Sequence, residues 1–189
     1  MKIGHRFHPV IQTLNDLIAD QKYGELLMLE VYHEGASLKN NELSLDTTIS
    51  KIDLANWFFR EMPIVVFARM GNFNSEQNNF SCIIIGYKSN KTAIILSNEL
   101  SLQNNCSLKA ICSKEVIFSD IISNEISING IIKKIPIKND STQKIQDFES
   151  NQEESKFDPK PVELENLVKI EEAALLSGRL GVPIYLDLK

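Results

Sequence analysis

Cysteine is scarce in this chain: Cys82, Cys106 and Cys112 are the only three in 189 residues, and no metal-ligand spacing relates them. An odd, unpatterned set excludes a disulfide framework and fits a reducing, cytoplasmic compartment, where such residues serve as small buried or half-buried side chains. Basic residues are also in short supply, with 20 Lys and Arg against 25 Asp and Glu, a net charge of -5 and no basic cluster. That balance excludes a nucleic-acid surface. The longest apolar runs, such as Cys82 to Ile85 and Pro63 to Ala68, fall far short of the ~20 residues that cross a bilayer. MKIGHRFHP at the start carries charges but no apolar h-region, so no secretory signal is read there. His5, His8 and His33 lack a metal spacing, because two stand three residues apart before a proline and the third is distant. No repeat of solenoid or propeller period occurs. What remains is a soluble chain read as a single domain, 1-189, large enough to bury a core without covalent staples.

What is present alternates helix and strand periodicity. His8 and Pro9 open a helix whose Val10, Ile11, Leu14, Leu17 and Ile18 recur at helical spacing, with proline at the first position, where its missing N–H has no partner to lose. Gly24 ends the following turn, and Glu25 to His33 reads as a strand. The polar segment from Glu34 to Ser44 reads as a loop. After a second helix stopped by Pro63, a series of short β-rich runs follows: IVVFARMGNF, FSCIIIGY, TAIILSNEL, SLKAICS, VIFSDIISNEISING and IIKKIPI. The YKSNKT connection reads as a hairpin loop with Lys91 at a solvated tip. Turns are read at Ser119-Asp120 and at Asn129-Gly130, and the Asn-Gly pair is the strongest hairpin signal in the chain. Lys138 to Lys160 is charged and poor in hydrophobes and reads as surface. Pro161 to Gly178 is helical, with Leu164, Leu167, Ile170, Ala174 and Leu175 as its buried stripe. A last strand, IYLDL, follows Gly181 and Pro183. Consecutive β-runs between flanking helices predict an α+β fold: a large, mainly antiparallel, open-faced sheet with the helices packed on one face.

The second helix, LDTTISKIDLANWFFREM from Leu45 to Met62, carries the candidate site. At roughly 100° per residue, Asp46, Ser50 and Asp53 share one stripe, while Ile52, Ala55 and Phe59 point the other way and seat the helix on a core. One face is expected to anchor and the other to present polar groups. Asp46 also stands where an aspartate caps free backbone N–H groups. Asp53 lies mid-helix with no cation at helical spacing, so its partner is expected outside the helix. Trp57, Phe58 and Phe59 are read as core packing.

Asp46-x-x-x-Ser50-x-x-Asp53, followed by Leu54, Ala55 and Trp57, resembles the Asp-x-x-x-His-x-x-Asp-Leu-x-x-Trp-Leu helix in the C-terminal domain of the Gfo/Idh/MocA oxidoreductases. Two further stretches are similar to the same domain, in the same order. Gly4 to Tyr32 matches its opening, an Arg-Phe-x-Pro turn, a helix and a strand. Glu171 to Leu186 matches its closing helix and strand. The dihydrodipicolinate-reductase-like open sheet is the fold that this resemblance implies.

Members of that family act on a sugar, nucleotide-sugar or cyclitol by hydride transfer to or from NAD or NADP, held by a Rossmann domain. No G-x-G-x-x-G follows a strand in this sequence, nor does the family's Glu-Lys-Pro turn occur. By resemblance, then, no cofactor is bound by this chain alone. A separate Rossmann domain is the implied partner, the isolated chain is inactive, and the open sheet face forms a homodimer. The resemblance places Asp46, Ser50, Asp53 and Arg6 at the substrate. Ser50 occupies the proton-transfer histidine's position, and a serine hydroxyl does not titrate near neutral pH. Arg6 stays open between a cleft role and that of a surface arginine beside an N-cap histidine, His8. A non-catalytic binding or dimerisation module derived from such a domain is the alternative reading.

Overall fold

The computed structural model describes residues 4–35, 48–72, 80–136 and 161–188. A short 3-10 turn, Gly4–Phe7, leads into α1 (Pro9–Ala19), then β1 (Leu26–Glu34), α2 (Thr48–Phe59) and β2 (Pro63–Gly71). Six strands follow: β3 (Phe80–Tyr87), β4 (Thr92–Asn98), β5 (Asn105–Cys112), β6 (Val116–Asp120), β7 (Glu125–Ile128) and β8 (Ile131–Lys134). The long helix α3 (Pro161–Leu180) and a two-residue strand, β9 (Ile184–Tyr185), close the described chain.

All nine strands form one sheet in the order β8-β7-β6-β5-β1-β4-β3-β2-β9. Every pairing is antiparallel except β1 with β4, which run parallel at the centre. The register shows why the sheet has two unlike faces. Ala68, Ile83, Ile95, Val31, Leu108, Ser119 and Ile126 lie side by side across seven strands. They are 0 to 4% exposed, because the helices cover that face. One residue along each strand the side chains point the other way, as the period of two requires. The neighbouring row runs Phe67, Ile84, Ile94, Glu30, Lys109, Phe118, Ser127 and Ile132. Ile84, Phe118 and Ile132 in that row are exposed. The α+β fold with an open-faced sheet follows from this pattern.

Three helices form the covering layer. α1 packs on β6 and β7, α2 on β1 and β4, and α3 on β2. His8 caps α1 with its own ring, Nδ1 accepting from the Val10 N–H at 3.3 Å, and Pro9 takes the first helical position. α3 ends at Gly181, whose φ of +72° fits glycine in the left-handed terminator position. One turn earlier Ser177 joins helix to sheet, its hydroxyl accepting from the Ala68 N–H at 2.9 Å and donating to the Val182 carbonyl at 2.6 Å.

The β7–β8 hairpin turns on Asn129 and Gly130 with φ of +53° and +76°, the doubly positive pair of a type I′ turn. Other expectations need correction. Asp120 is the last residue of β6 and the turn is Ile121 to Asn124, because the Asp120 carboxylate accepts the N–H groups of Ile122 and Ser123. Lys91 is no solvated tip: its ammonium pairs with Glu25 at 2.9 Å. Leu175 is exposed, and Ala173 and Ser177 are buried instead, so the buried stripe of α3 drifts as 3.6-residue periodicity demands. The closing strand spans only Ile184–Tyr185. The segments read as loops at 36–44, 74–79 and 138–160 lie outside the described residues, wholly or in most of their length.

Candidate functional site

α2 is buried on more sides than an amphipathic helix should be. Ile52, Leu54, Ala55, Phe58 and Phe59 sink into the core, and each large apolar side chain contributes roughly 1.5–3 kcal/mol. Ser50, Lys51 and Asp53 are buried as well. The expected presenting stripe is therefore enclosed at Ser50 and Asp53, which are 5% and 1% exposed. Asp46 lies outside the described residues.

The enclosure of Asp53 has a specific cause. The 3-10 turn Gly4–Phe7 lays Arg6 and His5 against α2. Arg6 Nε donates to Asp53 Oδ2 at 2.8 Å while its Nη2 donates to Oδ1, a bidentate fork. His5 Nε2 lies 3.1 Å from Oδ2, and the tautomer protonated there donates to the carboxylate. Burial holds the His5 ring neutral, pulling its pKa down against the upward pull of Asp53. The external partner expected for Asp53 is thus Arg6 with His5. Arg6, 7% exposed, is not a surface arginine.

Beyond this clamp lies a cavity of about 340 Å³ between the C-terminal half of α2 and the first turns of α3. Arg6, Asp53, Asn56, Trp57 and Arg60 line it from one side and Glu163 and Leu167 from the other, with Glu61 and Met62 completing the wall. The Arg6 guanidinium lies 5.6 Å from the Trp57 ring centre, within cation–π range. Trp57 is thus half-buried at the cavity wall, unlike core residues Phe58 and Phe59. Asn56, Arg60 and Glu163 were not among the site residues expected from the helical pattern. A signal did exist for Asn56 and Arg60, since they stand three and seven residues beyond Asp53 and so share its helical face.

Asn56 is fixed by Tyr87, whose hydroxyl donates to Asn56 Oδ1 at 2.9 Å. Burial, and secondarily Glu61, pushes the Tyr87 hydroxyl pKa up, so it stays protonated as a donor. Arg60 follows the last turn of α2, its N–H bonding the Asn56 carbonyl at 2.8 Å, with φ of +53°. A left-handed non-glycine residue costs roughly 1 kcal/mol there relative to glycine.

A second polar group sits under the start of α2. Lys51 Nζ donates to Ser97 Oγ at 2.8 Å, and Ser97 pairs in register with His33. Burial and the Lys51 charge lower the His33 pKa to about 4. Among the described residues no group of three or more His, Cys, Asp or Glu side chains could hold a metal ion. No described helix is long and apolar enough to cross a membrane.

The site and sheet together define an α+β domain with a helix-covered face, an open face and a cavity in the helix layer. Its fold is that of the C-terminal domain of the Gfo/Idh/MocA oxidoreductases. No family model and no curated protein matches the sequence. Solved structures do match the fold. Myo-inositol 2-dehydrogenase from Lactobacillus plantarum aligns over 98% of this chain at 13% identity with a TM-score of 0.73. A myo-inositol dehydrogenase from Corynebacterium glutamicum aligns over 98% at 18% identity and 0.67. The UDP-N-acetylglucosamine 3-dehydrogenase from Acidithiobacillus ferrooxidans aligns over 93% at 16% identity and 0.71. This chain spans 59 to 64% of the length of these three structures.

Proposed function

We propose that residues 1–189 form the substrate-binding and dimerisation domain of an oxidoreductase that moves a hydride between NAD or NADP and a sugar, nucleotide-sugar or cyclitol. The carrying observation is the alignment of nearly the whole chain with part of a fold found in inositol and nucleotide-sugar dehydrogenases. In this reading a separate Rossmann domain supplies the nicotinamide, the pair works in the cytoplasm, and the isolated chain is inactive.

The residues then divide the work. Ser50, in the first turn of α2, and Asp46, which precedes it in the sequence, contact substrate hydroxyls. Asp53 and Arg6 position that helix, because the bidentate pair ties it to the turn that opens the domain. The open sheet face joins two copies. Exposed Phe80, Ile84 and Leu96, neighbours on β3 and β4 of that face, support this role, since contiguous exposed apolar side chains mark association surfaces.

The second reading, a non-catalytic binding module derived from this fold, draws on a specific observation. Ser50 cannot titrate near neutral pH, and both oxygens of Asp53 are committed to Arg6 and His5. Appearance of reduced nicotinamide, followed by absorbance with a panel of cyclitols and nucleotide-sugars, tests the primary reading. No turnover is expected from the chain alone and restored turnover with its Rossmann partner. Turnover by the chain alone contradicts the reading; polyol binding with no turnover in the presence of that partner favours the binding module.

A further inference from the structure

We propose that the cavity between α2 and α3 is a binding site for a neutral polyhydroxylated ring, separate from the Ser50 end of α2. Ser50 and Trp57 are seven residues apart, about 10 Å along a helix, so one small ring does not fill both places.

Three features of the cavity select this ligand. Its volume, about 340 Å³, lies within the range of small-molecule sites and accommodates a single pyranose or cyclitol ring with its hydration. Its wall is amphipathic. Trp57 offers apolar surface to the C–H face of a ring, while Asn56 and Arg60 offer donors to its hydroxyls. The Asn56 carbonyl oxygen is already taken by the Tyr87 hydroxyl, which fixes the amide orientation and leaves the NH2 as the group able to donate into the cavity. The lining charge is close to balanced, three carboxylates (Asp53, Glu61, Glu163) against two guanidinium groups (Arg6, Arg60). That slight acidic excess disfavours phosphate or carboxylate ligands.

Arg60 supplies the independent observation. Its backbone holds a left-handed conformation in which glycine would be more stable. Among the described residues its exposed guanidinium has no ion-pair partner. Strain retained without a structural partner points to a ligand-facing role.

Trp57 is the only tryptophan in the chain, so its emission reads the cavity directly. Titrating the full chain with myo-inositol, D-glucose and N-acetylglucosamine is expected to give a saturable change in that emission for at least one ring. Inorganic phosphate is expected to give none. Arg60→Gly, which relieves strain and so folds, and Asn56→Asp, which keeps an acceptor for Tyr87 while removing the donor, should each weaken binding about tenfold or more. Absence of a saturable response to all three rings overturns the proposal, as does a response unchanged in both variants. A response lost in Ser50→Ala but kept in Arg60→Gly also overturns it, by placing the ring at the start of α2, and in that event the proposed function above still stands.

Discussion

Arg6 and Asp53, 47 residues apart in sequence, meet as a bidentate buried pair with Nε 2.8 Å from Oδ2. The 3-10 turn that carries Arg6 contacts α2 and α1, so this pair fastens the first described turn of the domain to the helix that carries the candidate site. With side chains 8% and 2% exposed, neither charge can be solvated if its partner is removed.

Asp53→Asn or Arg6→Ala should therefore each lower stability in urea by roughly 3–5 kcal/mol, because a buried charge is left uncompensated. The double replacement Arg6→Met with Asp53→Leu is expected to recover most of that loss. Equal, additive losses in a double-mutant cycle would show that the pair is not coupled.

His8 gives the fold an acid limit. Burial lowers its pKa from 6.5 to about 4, so the folded state favours the neutral ring. The sign follows from proton counting. Above pH 6.5 neither state binds the proton, and between 6.5 and 4 the unfolded chain binds it while the folded one does not. Stability falls as pH drops through that window, by about 3 kcal/mol at most for this group. His8→Asn keeps an N-cap acceptor without a titrating ring and should reduce the slope between pH 6.5 and 4, leaving the parts due to His5 and His33. An unchanged profile in chemical denaturation would assign the acid sensitivity elsewhere.

Arg60→Gly is expected to stabilise the chain by roughly 1 kcal/mol, since glycine accepts the left-handed conformation that ends α2. A lower midpoint in urea would mean that the arginine side chain makes a structural contribution larger than the strain it imposes.

The open sheet face should hold two copies together. Sedimentation is expected to show a dimer at micromolar concentration, and Ile84→Lys with Leu96→Lys is expected to raise the dissociation constant about 100-fold or more while leaving circular dichroism unchanged. A monomeric native chain at that concentration would remove the dimer from the account.

Much of the fold was legible because it rests on local rules. The Asn129-Gly130 turn, the β3–β4 hairpin and the His8-Pro9 start of α1 each depend on residues a few positions apart. The order of strands was not legible. β1 lies between β4 and β5, and its parallel partner β4 comes only after α2, β2 and β3. The site was half legible. Helical spacing put Ser50 and Asp53 on one stripe, but a polar stripe ordinarily means a solvated face. Here Arg6 and His5 arrive from far away in sequence and turn that stripe into an enclosed clamp. Asn56, three residues after Asp53, was overlooked because its role depends on Tyr87 from another element.

On the proposed function, this chain recognises a polyol and leaves the nicotinamide to another domain. Calorimetric titration of the full chain with NADH and NADPH, beside the same titration with myo-inositol and a nucleotide-sugar, tests it most directly. Heat of binding is expected for a polyol ligand and none for either nicotinamide nucleotide. Tight binding of NADH or NADPH without any polyol binding would contradict that function.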